Sequence, residues 1–202
     1  MKNVGILIFN DAEVLDFAGP FEVFSVADEL NNGKLFHTFT VAKELAPIRS
    51  INGLSVNPNY SFATAPAIDV LFIAGGFGAR AILNDEETLA WIRSVHPQTD
   101  YTLSICSGSL ILAKLGLLHG QPYCTHHQVY TDMQQLVKEG IPLPNQRFVQ
   151  AGKIFTSGGI SAGIDLSFHL VSLLLNKAVA QQTARYMEYD LKPECLANNA
   201  TA

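Results

Sequence analysis

The chain has 202 residues, 48% of them hydrophobic and 15% charged, with a formal net charge of −5. That balance provides a packed core for one large α/β domain and excludes an intrinsically disordered chain; without a cluster of Lys and Arg, it also argues against a nucleic-acid footprint. The three cysteines, Cys106, Cys124 and Cys195, form no C-x-x-C pair and suit a reducing cytoplasm, and no apolar run is long enough to span a bilayer.

Val4-Gly-Ile-Leu-Ile-Phe9 is a continuous apolar run, as expected of a parallel strand buried on both faces. Asp11 to Asp16 reads as a loop, and Pro20 as the first position of a helix carrying Phe21, Val23, Phe24 and Ala27. His37 to Ala42 alternates like a strand, and a hairpin-like piece surrounds Asn52-Gly53. Asp69 to Ala74 is a second buried strand, ending in Gly75-Gly76-Phe77-Gly78, and Asp85 starts a helix through Trp91 and Val95. Tyr101 to Ile105 is a strand that runs into Cys106-Ser107-Gly108-Ser109 and then a helix with Leu110, Ile111, Leu112 and Leu115. His126 to Val137 reads as a helix capped by Thr125. Residues 146–150 and 153–156 read as a hairpin, and Ala162 to Tyr189 as one long helix. Residues 1–192 are expected to form a single domain, and 193–202 a mobile polar tail.

Strands alternating with helices imply a mostly parallel sheet covered on both faces. In such sheets the ligand crevice lies at the carboxyl ends of the strands. The Asp16 loop, the Gly75–Gly78 turn and Cys106 all fall at strand ends. Cys106 sits where a strand turns sharply into a helix, the layout of a nucleophile elbow, with the first N–H groups of the helix aimed at whatever the sulfur attacks. A buried structural thiol is the competing reading. Lowering a thiol from about 8.5 to roughly 5.5 requires about 4 kcal/mol, and a helix N-terminus provides only about 0.3–1, or roughly 2 when buried. A nucleophilic Cys106 therefore needs a further partner.

The ordered set Gly5-Ile-Leu-Ile-Phe9, Leu15-Asp16-Phe17-Ala18-Gly19-Pro20, Ile73-Ala74-Gly75-Gly76-Phe77-Gly78, Ser104-Ile-Cys106-Ser107-Gly108-Ser109, Leu115-Gly-Leu-Leu118 to Thr125-His126, Thr156-Ser-Gly-Gly-Ile160 and Ala162-Gly163-Ile164-Asp165-Leu166 resembles the ThiJ/PfpI superfamily, a branch of the class I glutamine amidotransferase-like proteins. The resemblance covers residues 3–192 and implies a flavodoxin-like fold. Two of its groups carry similar Leu-Asp-x-x-Gly-Pro and Ala-Gly-Ile-Asp stretches: isonitrile hydratases and the ligand-sensing halves of AraC-type regulators. In the superfamily's peptidases a His follows the nucleophile; Ser107 here counts against peptide hydrolysis. The Trp often found after the Thr-His pair is His127 in this chain.

The resemblance implies catalytic roles for Cys106, Asp16 and His126. It places oxyanion and substrate-binding positions at Gly76, Phe77, Ser107, Gly19 and Ile160. Asp16, held protonated by Leu15, Phe17 and Phe21, would donate to sulfur and act as general acid; as an alternative, it caps the helix beginning near Pro20. His126 would favour a thiolate as imidazolium, activate water as a neutral base, or simply line the pocket, whereas His127 is expected on the surface. Neither a metal nor a cofactor is expected. The implied activity is hydration of an isonitrile through a cysteine thioimidate, on a small-molecule substrate, in a cytoplasmic homodimer with no membrane. Alternatives are a glyoxalase- or amidase-type cysteine enzyme, a redox sensor oxidised at Cys106, or a regulator's sensing domain, the last requiring a helix-turn-helix beyond Ala202 for DNA binding.

Overall fold

The structure, a computed structural model, describes residues 1–196. Seven strands make the central sheet in the order β10-β11-β7-β6-β1-β2-β5. They are β1 (Lys2–Leu7), β2 (Phe36–Ala42), β5 (Tyr60–Ser61), β6 (Val70–Ile73), β7 (Tyr101–Ser104), β10 (Phe148–Ala151) and β11 (Ile154–Ser157). Every pair is parallel except β10–β11, the hairpin anticipated over Ala151-Gly152. The parallel strands are apolar runs because both faces are covered: all four residues of β6 are fully buried. Two small ribbons stand apart, β3 (Ile48–Arg49) with β4 (Ser55–Val56), and β8 (Pro122–Tyr123) with β9 (Ile141–Pro142).

One helical layer holds α1 (Val14–Glu29), α6 (Ser161–Leu174) and α7 (Lys177–Tyr186), which pack on one another. The other holds α2 (Ala79–Ile82), α3 (Glu86–Val95), α4 (Ser109–Lys114) and α5 (Tyr130–Leu136). The result is the flavodoxin-like arrangement with helices on both faces. Asp85 caps α3 by accepting from the Thr88 N–H at 3.3 Å.

Several expectations fail. Pro20 does not open α1; the helix begins six residues earlier, at Val14, and carries Pro20 inside. Asp16 therefore lies in the first helical turn rather than in a loop, and it caps nothing, since Glu13 holds the N-cap position. The segment after Thr125 is not helical until Tyr130, because the Thr125 hydroxyl is bonded to Cys106 O at 2.9 Å and Ser109 Oγ at 2.7 Å instead of capping a helix. The long C-terminal helix is two helices: Leu175 leaves helical geometry and Asn176 starts α7 by accepting from the Val179 N–H at 3.0 Å. Finally, Pro193–Leu196 form a 3-10 turn that buries Cys195 and Leu196, with Cys195 O 2.8 Å from His169 Nδ1. The rest of the expected tail, residues 197–202, lies outside the described residues.

Candidate active site

β7 ends at Ser104, and a 3-10 turn over Cys106–Gly108 leads the chain into α4 at Ser109. Cys106 stands at the corner with a φ of 55°, a left-handed backbone rare for a residue with a side chain. Three bonds hold it there. Its N–H donates to Gly158 O at 3.2 Å, and its carbonyl accepts from the Thr125 and Ser109 hydroxyls at 2.9 and 3.1 Å. A second corner faces the same space: Ile160, with φ 52°, precedes α6. A β-branched residue at positive φ is costly, and two such corners bordering one cavity mark a place where the fold stores strain.

Asp16 reaches this corner from α1. Its Oδ2 accepts from the Gly75 N–H at 3.0 Å, while the Gly75 carbonyl accepts from the Glu13 N–H at 2.9 Å. Only glycine fits at position 75, because a Cβ there would stand 2.7 Å from Ile105 O and from Ser107 N, and 2.8 Å from Asp16 Oδ2. Asp16 is fully buried and its Oδ1 has no hydrogen-bond partner, with the Ile160 N–H and the Cys106 thiol as neighbours that favour the anion. Burial outweighs them and lifts the carboxyl to about 7, the Glu13 charge adding to the effect. The apolar shell is narrower than expected: Phe17 is buried, but Leu15 points to solvent.

Cys106 is 8% exposed. Its thiol is pushed up to about 12, first by burial and then by the Asp16 carboxylate, with the Ser107 N–H and hydroxyl opposing. The surroundings thus favour a neutral thiol at rest, the reverse of the free thiolate that the elbow suggested. His126 does not supply the missing positive charge. Burial and the adjacent His127 hold its pKa below the usual histidine value, and its Nδ1 accepts from the Gln128 N–H at 3.3 Å. No hydrogen bond joins His126 to Cys106 or Asp16 among the described residues. His127 is exposed as anticipated, but its ring lies 4.2 Å from that of His126, because this stretch is a turn and not a helix.

A cavity of about 150 Å³ opens beside the sulfur, bordered by Ser107, Gly76, Phe77, His126 and Ile160 among the sequence-predicted positions. Within it, the Gly76 N–H is already committed. It donates to Ser107 Oγ at 2.8 Å, and the same hydroxyl donates back to Gly76 O at 2.8 Å. Ser107 therefore ties the glycine loop to the elbow, and Gly76 is not a free oxyanion donor. Gly19 is not at the cavity. It sits where α1 crosses α6, and a Cβ there would meet Ile164 Cγ1 at 2.8 Å. Glu13, Ile51, Arg80, Gln128 and Val129 complete the lining, and nothing in the sequence pattern marked them.

The model of the DJ-1/PfpI family matches residues 2–173. The chain belongs to that family. It is 35% identical over 190 residues to isonitrile hydratase from Pseudomonas putida, a match covering 94% of this chain and 79% of that protein. It is 24% identical over 170 residues to the HTH-type transcriptional regulator GbdR of Pseudomonas aeruginosa, of which the match covers 46%. Among solved structures, a ThiJ/PfpI family protein from Pseudomonas syringae superposes with a TM-score of 0.84 at 31% identity, over 99% of this chain and 79% of that one. Drosophila melanogaster DJ-1beta shares the DJ-1/PfpI fold at a TM-score of 0.81 and 17% identity, over 93% of this chain and 98% of that one. No helix among the described residues is long and apolar enough to cross a membrane.

Proposed function

We propose that this DJ-1/PfpI protein is a cofactor-free lyase that hydrates isonitriles to N-substituted formamides. The observation that carries the reading is the buried pair of Asp16 and Cys106, with the carboxyl lifted to about 7 beside a thiol at the edge of a cavity. The 35% identity to isonitrile hydratase supports it. Apolar side chains at Ile51, Val129 and Ile160 suit an alkyl group on the isonitrile nitrogen.

The chemistry needs one proton shared by the pair. Asp16 takes the thiol proton as Cys106 Sγ adds to the terminal carbon of R–N≡C, and it delivers that proton to the same carbon. The product is the thioimidate Cys–S–CH=N–R. Asp16, again a carboxylate, draws a proton from water as the hydroxide adds to carbon, and passes that proton to nitrogen. Collapse of the adduct forms C=O and breaks C–S; the hydroxyl proton returns to the pair and leaves the formamide. A carboxyl that titrates near neutrality serves both as base and as acid in this sequence. Ser107, through its N–H, stabilises negative charge on sulfur as it attacks and departs.

The test is turnover of cyclohexyl isocyanide to N-cyclohexylformamide, followed by NMR. Wild-type protein is expected to form product, and Cys106→Ala and Asp16→Ala are expected to form none above background. Full turnover by either variant, or none by wild type, overturns the reading. The similarity to GbdR supports a second reading, in which the cavity senses a ligand without turning it over. Saturable binding of an isonitrile by wild type with no formamide formed would favour it.

A further inference from the structure

Two side chains of opposite formal charge border the cavity, Glu13 and Arg80, and they are not equivalent. Arg80 Nη2 donates to Asp132 Oδ2 at 2.6 Å, and the guanidinium lies 5.9 Å from the centre of the Phe77 ring. Its charge is answered within the protein. The Glu13 carboxylate has no ion pair and no side-chain hydrogen bond among the described residues. Its backbone is nevertheless fixed, donating to Gly75 O at 2.9 Å and accepting from the Asp16 N–H at 3.1 Å. Glu13 is thus held three residues before Asp16 on the same helix start, half-buried at the cavity wall. Its field reaches the reacting groups, raising the pKa of both Asp16 and Cys106 and opposing the depression of His126. With Arg80 paired to Asp132, the unpaired charge at the cavity wall is that of Glu13.

We propose that Glu13 is an electrostatic filter of this site, which admits neutral and cationic small molecules to Cys106 and disfavours those bearing a carboxylate or another anion near the reacting group. As a statement about isonitriles this rests on the hydratase reading; it then names the substrates as alkyl, aryl or amine-bearing isonitriles and rejects isocyano carboxylates. As a statement about access to the sulfur it stands alone. A unit charge a few ångströms from another, at an effective dielectric constant of about 20, alters a rate by more than about tenfold.

The experiment compares three methanethiosulfonate reagents, neutral methyl, cationic trimethylammonioethyl and anionic sulfonatoethyl. Each forms a mixed disulfide with Cys106 and releases methanesulfinate, whether or not the protein turns over isonitriles. Rates are read from the Cys106 peptide by mass spectrometry and divided by the rates with a small free thiol. The corrected cation-to-anion ratio in wild type is expected to be about tenfold or more at low salt. Glu13→Gln should bring it down about tenfold, and Arg80→Ala, which leaves the Asp132 carboxylate unpaired, should raise it. Raising salt from about 0.02 to 0.5 M should reduce the wild-type ratio, a measurement that needs no variant. A ratio near one in wild type, one unaltered by Glu13→Gln, or one insensitive to salt overturns the proposal. Failure to hydrate isonitriles would leave it standing, and an equal rate for both charges would leave hydration standing.

Discussion

Cys106 and Cys124 are both buried, and burial pushes both thiols up to about 12, yet of the two only Cys106 borders the cavity. Cys124 is wholly enclosed, and its thiol donates to Thr156 O at 3.1 Å. Its N–H donates to Thr156 Oγ1 at 2.9 Å, so the residue is a small apolar filler with its N–H and thiol both satisfied. Cys106 stands at positive φ at the lip of a cavity, beside a carboxyl lifted to about 7. On the hydratase reading, the contrast teaches that a thiol's resting ionisation does not by itself mark a nucleophile, and that open space for a reactant and a nearby proton acceptor do.

The largest expected effect breaks the contrast directly. Cys106→Ala should lower isonitrile hydration by about 10³-fold or more, as loss of a covalent nucleophile does, whereas Cys124→Ala should leave it within about twofold. Equal losses would mean that Cys106 matters only for packing. In the same comparison, iodoacetamide labelling of Cys106 in native protein should rise with pH well past 8, and Asp16→Asn should shift that rise downward by removing a like charge. Cys124 should label only on unfolding.

Asp16 sharpens the comparison through stability. Its folded pKa, about 7, lies above the ordinary 3.8, so folding favours the protonated form. Its contribution is fully present below about pH 4 and is lost as pH rises through 7. Asp16→Asn should therefore stabilise the fold above pH 7, by up to about 4 kcal/mol for roughly three pKa units, and by little at pH 4. Urea unfolding at pH 4, 6 and 8 reads the trend. A stability gain that did not grow with pH would remove the buried carboxyl from the account.

Two smaller effects probe what holds Cys106 in place and Cys124 lacks. Gly75→Ala should destabilise by about 1–3 kcal/mol, because its Cβ overlaps the elbow backbone, and should lower Cys106 labelling as the cavity distorts. Ser107→Ala removes the hydroxyl that pairs with both Gly76 backbone groups and should cost about 1 kcal/mol. It should also slow turnover more than it weakens substrate binding, with Ser107→Thr restoring both. Wild-type kinetics in Ser107→Ala would show that the glycine loop needs no tie.

Much of the architecture was legible from local pattern alone. Apolar runs such as Val70 to Ile73 announce strands buried on both faces, and the passage from Tyr101 through Ser109 announces a strand-to-helix corner, because period and small residues are properties of adjacent positions. Helix limits were less legible where a tertiary partner competes for a local group. Thr125 has the chemistry of a cap but spends its hydroxyl on the Cys106 carbonyl, and Leu175 leaves the helical path where one amphipathic stretch becomes two.

By itself the sequence determined which chemistry is on offer: a thiol at a corner, an acid at the head of a helix, a glycine loop after a strand. Only the tertiary structure decided what those groups are. It placed Gly19 at a helix crossing, closed the Gly76 N–H with Ser107, held the His126 pKa below the usual histidine value, and brought unsuspected Glu13 to the cavity wall. The physical reason is that charge, solvation and access depend on atoms far apart in the chain. Asp16 and Gly75 are separated by 59 positions, yet their contact, together with burial, sets where the carboxyl titrates.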